Sequence, residues 1–264
     1  GANVSGDGYE YTASDNTLAF TNYDGREIFY HNGELTVTLS GANTITANAP
    51  KTTTNNAILG AATSITISGT GSLAINQQAD TGFGISAPTV TIGDEPAGKT
   101  KTKVTVTDGG NRAIYGWRAI TIQNADVTVS ASEKAIRGGS LTITDSTVVA
   151  NIVEGSPDVN SQGVDDIWGI KTNGNISIGA GSKVTTDGFR IDTVMSATIT
   201  GIVIVDGDYQ QSAGADLVSN ITGLYVDNLN FSTALTAVRG EPASTVTSGI
   251  YLINDAAVYG NVQV

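Results

Sequence analysis

Four side chains with the chemistry to hold a sugar stand at matching places in this sequence. Each follows an isoleucine, in the blocks AIY, AIR, GIK and RID, and the four are Tyr115, Arg137, Lys171 and Asp192. Aromatic rings can stack on the apolar faces of pyranoses, while guanidinium and ammonium groups pair with hydroxyls or carboxylates. The sequence therefore predicts a ligand-binding row, provided that the fold brings these four positions together.

The two tryptophans lie near the ends of the same apolar segments, so Trp117 and Trp168 are predicted stacking platforms. The residue before the aliphatic one is small in most blocks, which predicts a backbone accessible to a flat ligand at positions such as Ala113 and Ala135. The alternative interpretation is structural. In it, Lys171 and Asp192 form an exposed ion pair of little net stability, and the tryptophans pack beneath loops.

Signals for catalysis or metal binding are weak. The single histidine, His31, is predicted to lie in a turn, and no nucleophile elbow, zinc motif or phosphate loop occurs. Asp206 and Asp208 in VDGDYQQ are weak candidates for Ca²⁺ ligands, because hard cations prefer carboxylate oxygens. The pair Asp165 and Asp166 is another weak acidic cluster, and acidic turn residues often do no more than form turns. No catalytic residue and no cofactor are predicted.

Internal repetition predicts the elements that position these residues. Nine blocks spaced 21–34 residues apart share a small residue, an aliphatic residue, a short gap and a second apolar segment. A third apolar segment commonly follows a Gly, Asp or Asn turn, as in SLAINQ and KVTVTD. The aliphatic residues predicted to point inward are Ile28, Ile58, Ile85, Ile114, Ile136, Ile170, Ile191, Leu217 and Val238. The second segments carry Leu35, Ile65, Val90, Ile120, Leu141, Ile176, Ala197, Leu224 and Ile250 in equivalent places.

Strands this short bury their apolar faces only by stacking repeat on repeat, at about 4.8 Å per step. We therefore predict an all-β fold, a single-stranded right-handed parallel β-helix of about nine three-strand coils. Residues 1–27 are predicted to form an N-terminal cap or first strand, and residues 28–264 the β-helix, as one domain overall. Predicted surface loops cover 94–102, 152–168, 206–216 and 241–248. A β-sandwich is the alternative, although two-residue hairpin signals are few.

A second outward row is almost entirely hydroxyl, which allows an ice-binding surface as a further alternative. Its members are Thr36, Thr66, Thr91, Thr121, Thr142, Ser177 and Thr198. Threonine is favoured on exposed strands in any case, and the parallel row fails at Gly93, Gln123 and Gly179. Irregularity therefore argues against ice binding.

The amino-acid composition limits the classes of partner that are expected to bind. The net charge is −12, which argues against nucleic acid and anionic membranes, and no apolar run is long enough for a membrane helix. With no cysteine, disulfides and Cys-ligated metals are excluded. Residues 99–137 carry seven basic and three acidic side chains, so a basic island of +4 leaves −16 for the rest. That island points to a local anionic ligand.

The blocks WGIKTNGNISIGAGSKVTTDGFRI and KAIRGGSLTITDSTVVA resemble the repeat of secreted bacterial right-handed parallel β-helix carbohydrate-binding domains. The resemblance covers about residues 28–264 and implies a pectate-lyase-like fold that binds acidic polysaccharide such as polygalacturonate, with Ca²⁺. In that family an Asp-Asp-Gly turn is a natural Ca²⁺ ligand cluster. Only Asp187 followed by Gly188 keeps that pattern here, so Asp187 joins the weak metal candidates.

The leading functional prediction is an extracellular or bacterial cell-surface module, monomeric and non-catalytic, that binds polysaccharide or glycan, including uronate-containing chains. A surface adhesin or structural stalk that contacts protein is the alternative. A polysaccharide lyase ranks lower, because it needs several carboxylates besides a basic residue. The row supplies Arg137 and Lys171 but only Asp192 as an acid.

Overall fold

A computed structural model describes residues 2–47, 57–76, 82–94, 100–107, 110–153, 168–187, 191–206, 223–231, 237–239, 249–253 and 257–263. These residues form 26 strands and no helix. The predicted all-β class is confirmed, since the β-branched residues that dominate the composition fit a pleated surface better than a helix.

The chain passes repeatedly between two sheets, a larger one of 16 strands and a smaller one of 10. Their bounds are β1 (Val4–Gly6), β2 (Tyr9–Thr12), β3 (Thr17–Thr21), β4 (Asp24–Gly25), β5 (Ile28–Tyr30), β6 (Glu34–Ser40), β7 (Ala42–Thr46), β8 (Ala57–Ala61), β9 (Ser64–Gly69), β10 (Ser72–Asn76), β11 (Phe83–Ile92), β12 (Thr102–Thr107), β13 (Arg112–Gln123), β14 (Ala125–Ala131), β15 (Lys134–Gly138), β16 (Leu141–Thr144), β17 (Thr147–Ile152), β18 (Trp168–Thr172), β19 (Ile176–Ile178), β20 (Lys183–Asp187), β21 (Ile191–Ile199), β22 (Ile202–Asp206), β23 (Gly223–Phe231), β24 (Ala237–Arg239), β25 (Gly249–Ile253) and β26 (Ala257–Gln263).

Pairing within each sheet is parallel from β3 onward, and it joins each repeat to the next. In the larger sheet Ile114 pairs with Ile85 on one side and Ile136 on the other, and the column continues through Ile170 and Ile191. In the smaller sheet the third segments follow one another in the order β7, β10, β12, β14, β17, β20 and β22. Repeats therefore stack in register, as the sequence pattern predicts.

The core lies between the inner faces of these columns. The isoleucines of the first column from Ile85 to Ile191 are fully buried, as are Leu141 and Val148 of the second and third segments. In β12 burial alternates strictly between buried and exposed residues, which is the pattern of a strand with one face on the core. A single hydrophobic cluster reaches from Leu18 to Val203.

The phase of the repeat was predicted wrongly at four described places. Val238, predicted for the first column, lies in β24 of the smaller sheet and pairs with Tyr251, whereas Leu217 lies outside the described residues. Leu59, and not Ile58, pairs with Ile28 and Ile85 and is fully buried. Leu224 pairs with Ile191, so it belongs to the first column and not the second. Ile250 lies in the smaller sheet, opposite Val203. All three segment types share an apolar-x-apolar pattern, so the pattern alone does not distinguish them.

The small residues before the isoleucines face the core, so the predicted accessible backbone is wrong. Ala113 and Ala135 are fully buried. A Cβ on Gly84 would meet Val106 of β12, and one on Gly169 would meet Thr186 of β20. Small side chains stand here because the two sheets approach closely, and not because a ligand needs room.

The hydroxyl row is in register across the larger sheet, and the structure adds Thr17 to its start. Its pairings join Thr36 to Thr66 and Thr121 to Thr142, with the remaining members between and beyond them. These side chains are half-buried or exposed on the outer face. Their role as an ice-binding surface stays a prediction.

The first strands are arranged differently from the rest. β1 pairs antiparallel with β2, and β2 antiparallel with β3, whereas β3 pairs parallel with β6. Parallel pairing thus begins at Thr17, within the segment 1–27 that was predicted as a cap. The predicted surface loops lie largely outside the described residues, which exclude 95–99, 154–167, 207–222 and 240–248.

Candidate functional site

The predicted row lies on neighbouring strands of the larger sheet. Tyr115 of β13 pairs with Arg137 of β15, which pairs with Lys171 of β18, which pairs with Asp192 of β21. Parallel strands lie about 4.8 Å apart, so the row advances by that distance per residue. Tyr115, Arg137 and Lys171 are half-buried on the outer face. The side chain of Asp192 lies outside the described part of the chain.

Arg137 is held along the row by hydrogen bonds toward β18. Its Nη2 donates to Asn173 Oδ1 at 2.8 Å, and its Nη1 donates to the carbonyl oxygens of Gly138 at 3.1 Å and Lys171 at 3.4 Å. A planar guanidinium loses less entropy than a flexible ammonium when it is oriented this way. The guanidinium plane is therefore positioned before any ligand arrives.

Trp168 is not a stacking platform, which corrects the prediction. It is only 8% exposed and starts β18 opposite Lys134. The Nζ of Lys171 lies 3.8 Å from the centroid of the Trp168 ring, and the Nζ of Lys134 lies 5.2 Å from it. A cation over an indole face is attracted by the ring quadrupole. Trp168 therefore orients Lys171 from beneath and presents no open face of its own.

Trp117 is exposed, as a stacking platform requires. Its side chain is 47% exposed, and its ring centroid lies 5.6 Å from that of Tyr115. The pairing of β11 with β13 shifts at this point, so that Trp117 and Arg118 stand against the single residue Pro88. An extra residue in one strand turns side chains outward. The irregularity explains why this tryptophan projects beside the row.

Two residues that the structure places beside the row, Phe83 and Arg112, were not among the predicted contacts. The Cζ of Arg112 lies 4.6 Å from the centroid of the Tyr115 ring and 5.2 Å from that of Phe83. The Phe83 and Tyr115 rings are themselves 5.0 Å apart. Both residues stand two positions before an isoleucine of the first column, as Lys134 and Trp168 do. That shared position was a usable signal.

The basic island predicted from the sequence is divided between the two sheets. Lys101 forms an ion pair with Asp126 at 3.0 Å on the smaller sheet, and Lys103 occupies the position in register with Asp126. Arg112 and Arg137 lie on the larger sheet, where Lys171 extends the cationic group. The positive charge near the row is thus carried by fewer side chains than the linear window indicates.

The two acidic candidates that the structure describes, Asp187 and Asp206, lie in the smaller sheet and not in the row. The backbones of Asp187 and Asp206 pair at the ends of β20 and β22 in the smaller sheet, while Asp208 lies outside the described residues, as do Asp165 and Asp166. No cluster of three or more metal-ligating side chains occurs in the described part of the chain. Calcium therefore stays a prediction. His31 is exposed in a turn, with its ring 4.7 Å from that of Phe29.

Comparison with known proteins identifies no similar protein. The described part of the chain holds no helix with the length and apolarity to cross a membrane. No protein-family model, no curated protein and no solved structure matches this chain.

Proposed function

We propose that the chain winds as a right-handed parallel β-helix of about nine three-strand coils. Two observations support this. In the middle repeats the first and second segments lie in the larger sheet and the third in the smaller one, and each pairs in parallel with its equivalent in the next repeat. Parallel strands linked by crossovers in one sheet are almost always connected with a right-handed turn. The resemblance to secreted β-helix domains agrees with the same winding.

On this scaffold we propose a non-catalytic module that binds an acidic polysaccharide along the outer face of the larger sheet. The observation that carries the proposal is the in-register row of Tyr115, Arg137 and Lys171, with Trp117 projecting beside it. Rings and cations repeat along one line at the spacing of the strands. A linear polymer with repeating apolar faces and carboxylates is complementary to such a line.

Each residue has a separate part in the proposed complex. Trp117 offers its exposed face to a sugar ring, and Arg112 supports the neighbouring Tyr115 ring from within. Arg137 and Lys171 pair with uronate carboxylates. Asn173 orients Arg137, and Trp168 orients Lys171. Asp192, the next position of the row, is proposed to accept hydrogen bonds from sugar hydroxyls.

Binding without bond cleavage fits the row better than a lyase. A lyase needs carboxylates to hold Ca²⁺ beside its base, and the described row offers cations and aromatic rings. A secreted or cell-surface location, with the module acting as a monomer, goes with a polysaccharide ligand. A surface adhesin or stalk that contacts protein remains the alternative.

The test is calorimetric titration of the protein with galacturonate oligomers in dilute salt. Replacing both cations, Arg137→Ala with Lys171→Ala, is expected to weaken binding by at least tenfold, because each charge-assisted hydrogen bond contributes about 1.5–3 kcal/mol. Trp117→Ala is expected to weaken it by a smaller factor, through loss of the stacking face alone.

The matched control removes the same charge from the other sheet. Lys103 and Lys183 are both exposed on the smaller sheet, so Lys103→Ala with Lys183→Ala alters net charge equally. The proposal expects this control to bind like the wild type. If both double variants lose affinity equally, binding depends on overall charge, and the row is not the site.

A further inference from the structure

An aromatic cavity lies at the beginning of the chain, away from the glycan row. It has a volume of about 350 Å³ and is formed by residues of β1, β2, β3, β5 and β6 together with Tyr23. That volume is within the range of small-molecule sites. Phe29 and Val4, 41% and 51% exposed, are two of the residues that line it.

Five aromatic rings make up most of its wall, and they are inclined to one another. Tyr9 meets Tyr23 edge to face, with centroids 5.8 Å apart and planes at 88°. Tyr11 and Tyr30 are tilted by 49° at 5.9 Å. The fifth ring is that of Phe29. One face of the Tyr23 ring is covered by Phe20, which stacks on it with centroids 4.5 Å apart. The rings therefore line a partly open cavity from several directions.

The polar groups at the wall are tyrosine hydroxyls, and those of Tyr11 and Tyr30 are hydrogen-bonded to each other. The Tyr30 hydroxyl donates to Asn16 Oδ1 at 2.6 Å, and the Tyr11 hydroxyl donates to that of Tyr30 at 3.0 Å. This hydrogen bond and partial burial raise the pKa of Tyr11 above its usual 10.0. The phenols of Tyr11 and Tyr23, whose pKa values are raised, thus remain uncharged at physiological pH, and the face of a neutral phenol ring attracts a cation.

The electrostatic surroundings are negative. Asp15 acts on the Tyr11 phenol, while Asp24 and Glu27 act on that of Tyr23. No lysine or arginine side chain belongs to the described lining. Arg26 contributes its backbone carbonyl, which accepts a hydrogen bond from the Tyr23 hydroxyl at 3.4 Å. The negative surroundings and the aromatic wall both disfavour the binding of an anion.

We propose that this cavity binds an organic cation that carries a methylated ammonium group. A small hydrated metal ion would lose its water to an apolar wall without receiving oxygen ligands in return. A methylated ammonium has no N–H that must be satisfied, and its charge spreads over methyl groups that pack against aromatic faces. The glycan row and this cavity are independent sites, so either proposal can fail alone.

The test compares choline with 3,3-dimethylbutan-1-ol, its neutral counterpart of the same shape, by NMR titration of the full chain. The ratio of the two affinities measures the contribution of the positive charge to binding. Choline is expected to bind at least about fivefold more tightly, since a cation over aromatic faces contributes about 1–2 kcal/mol in a partly desolvated site. Equal affinities, or no binding of choline, would overturn the proposal.

Two variants separate the rings from the general apolar surface. Phe29→Leu keeps an apolar side chain on an exposed position but removes the π face, so choline affinity is expected to fall about threefold while the alcohol binds as before. Met195→Leu, which alters an exposed apolar side chain on β21 that belongs to neither proposed site, is the control and is expected to change the affinity of neither ligand. If Phe29→Leu leaves the choline preference intact, the rings do not recognise the cation and the proposal is wrong.

Discussion

Replacing Gly84 by alanine tests how closely the two sheets approach. An alanine Cβ at this position would lie 2.5 Å from Val106 Cγ1 and 2.6 Å from the carbonyl oxygen of Ala113. Val106 is itself buried at 1% exposure, and the Ala113 carbonyl belongs to the neighbouring strand. Neither neighbour can move without disturbing a parallel ladder or the core.

Two effects of opposite sign determine how much Gly84→Ala changes the free energy of unfolding. Gly→Ala in an unobstructed strand stabilises by roughly 0.5–1 kcal/mol, because glycine loses more backbone entropy on folding. Overpacking a dense core costs about 1–3 kcal/mol. With contacts as short as these the second effect dominates, so Gly84→Ala is expected to lower the free energy of unfolding by roughly 1–2 kcal/mol.

Urea denaturation followed by circular dichroism measures this change. Ala113→Gly, one strand along in the same column, is the control, and it is expected to lose about 1–2 kcal/mol by opening a gap. A loss for Ala113→Gly above the roughly 0.5–1 kcal/mol of backbone entropy measures the packing that the methyl group provides. If Gly84→Ala equals or exceeds the wild type in stability, the position faces open space and the two sheets do not meet there.

Two further predictions concern the core and the tyrosines. Ile136→Ala is expected to cost about 2–5 kcal/mol in the same assay because Ile136 is fully buried, whereas Thr142→Ala on the outer face should stay within about 0.5 kcal/mol; similar losses would refute the assigned faces. The hydrogen bond to Tyr30 raises the pKa of Tyr11 above 10.0, and burial raises that of Tyr23. The stability that these two groups contribute is therefore fully present below pH 10 and falls as pH rises through the folded pKa. Ultraviolet titration should show late phenol ionisation that Tyr23→Phe reduces, and uniform ionisation near pH 10 would contradict it.

Register within the middle repeats was predictable from the sequence. From Ile85 to Ile191 each repeat carries an isoleucine at the equivalent place. A shift of one residue in the pairing of neighbouring strands would turn these apolar side chains outward. The ladder from Tyr115 to Lys171 followed directly from that constraint. The hydroxyl row followed in the same way, because it alternates with buried positions.

Other features depend on information that a linear pattern lacks. Leu224 and Ile250 were assigned to the wrong columns because every segment type has the same alternation. The burial of Trp168 depends on packing against Lys134 of the neighbouring strand, which the linear pattern does not show. The inward direction of Gly84 depends on the distance between sheets, and local composition does not encode that distance.

The central claim is that the row recognises carboxylates on a polysaccharide, and one comparison tests it most directly. Polygalacturonate and its carboxyl-reduced neutral counterpart should be titrated against the same protein at two salt concentrations. The account predicts that the acidic chain binds, that added salt weakens its binding because charges are screened, and that the neutral chain binds at least tenfold more weakly. Equal affinity for both chains, or no binding of the acidic chain in dilute salt, would contradict it.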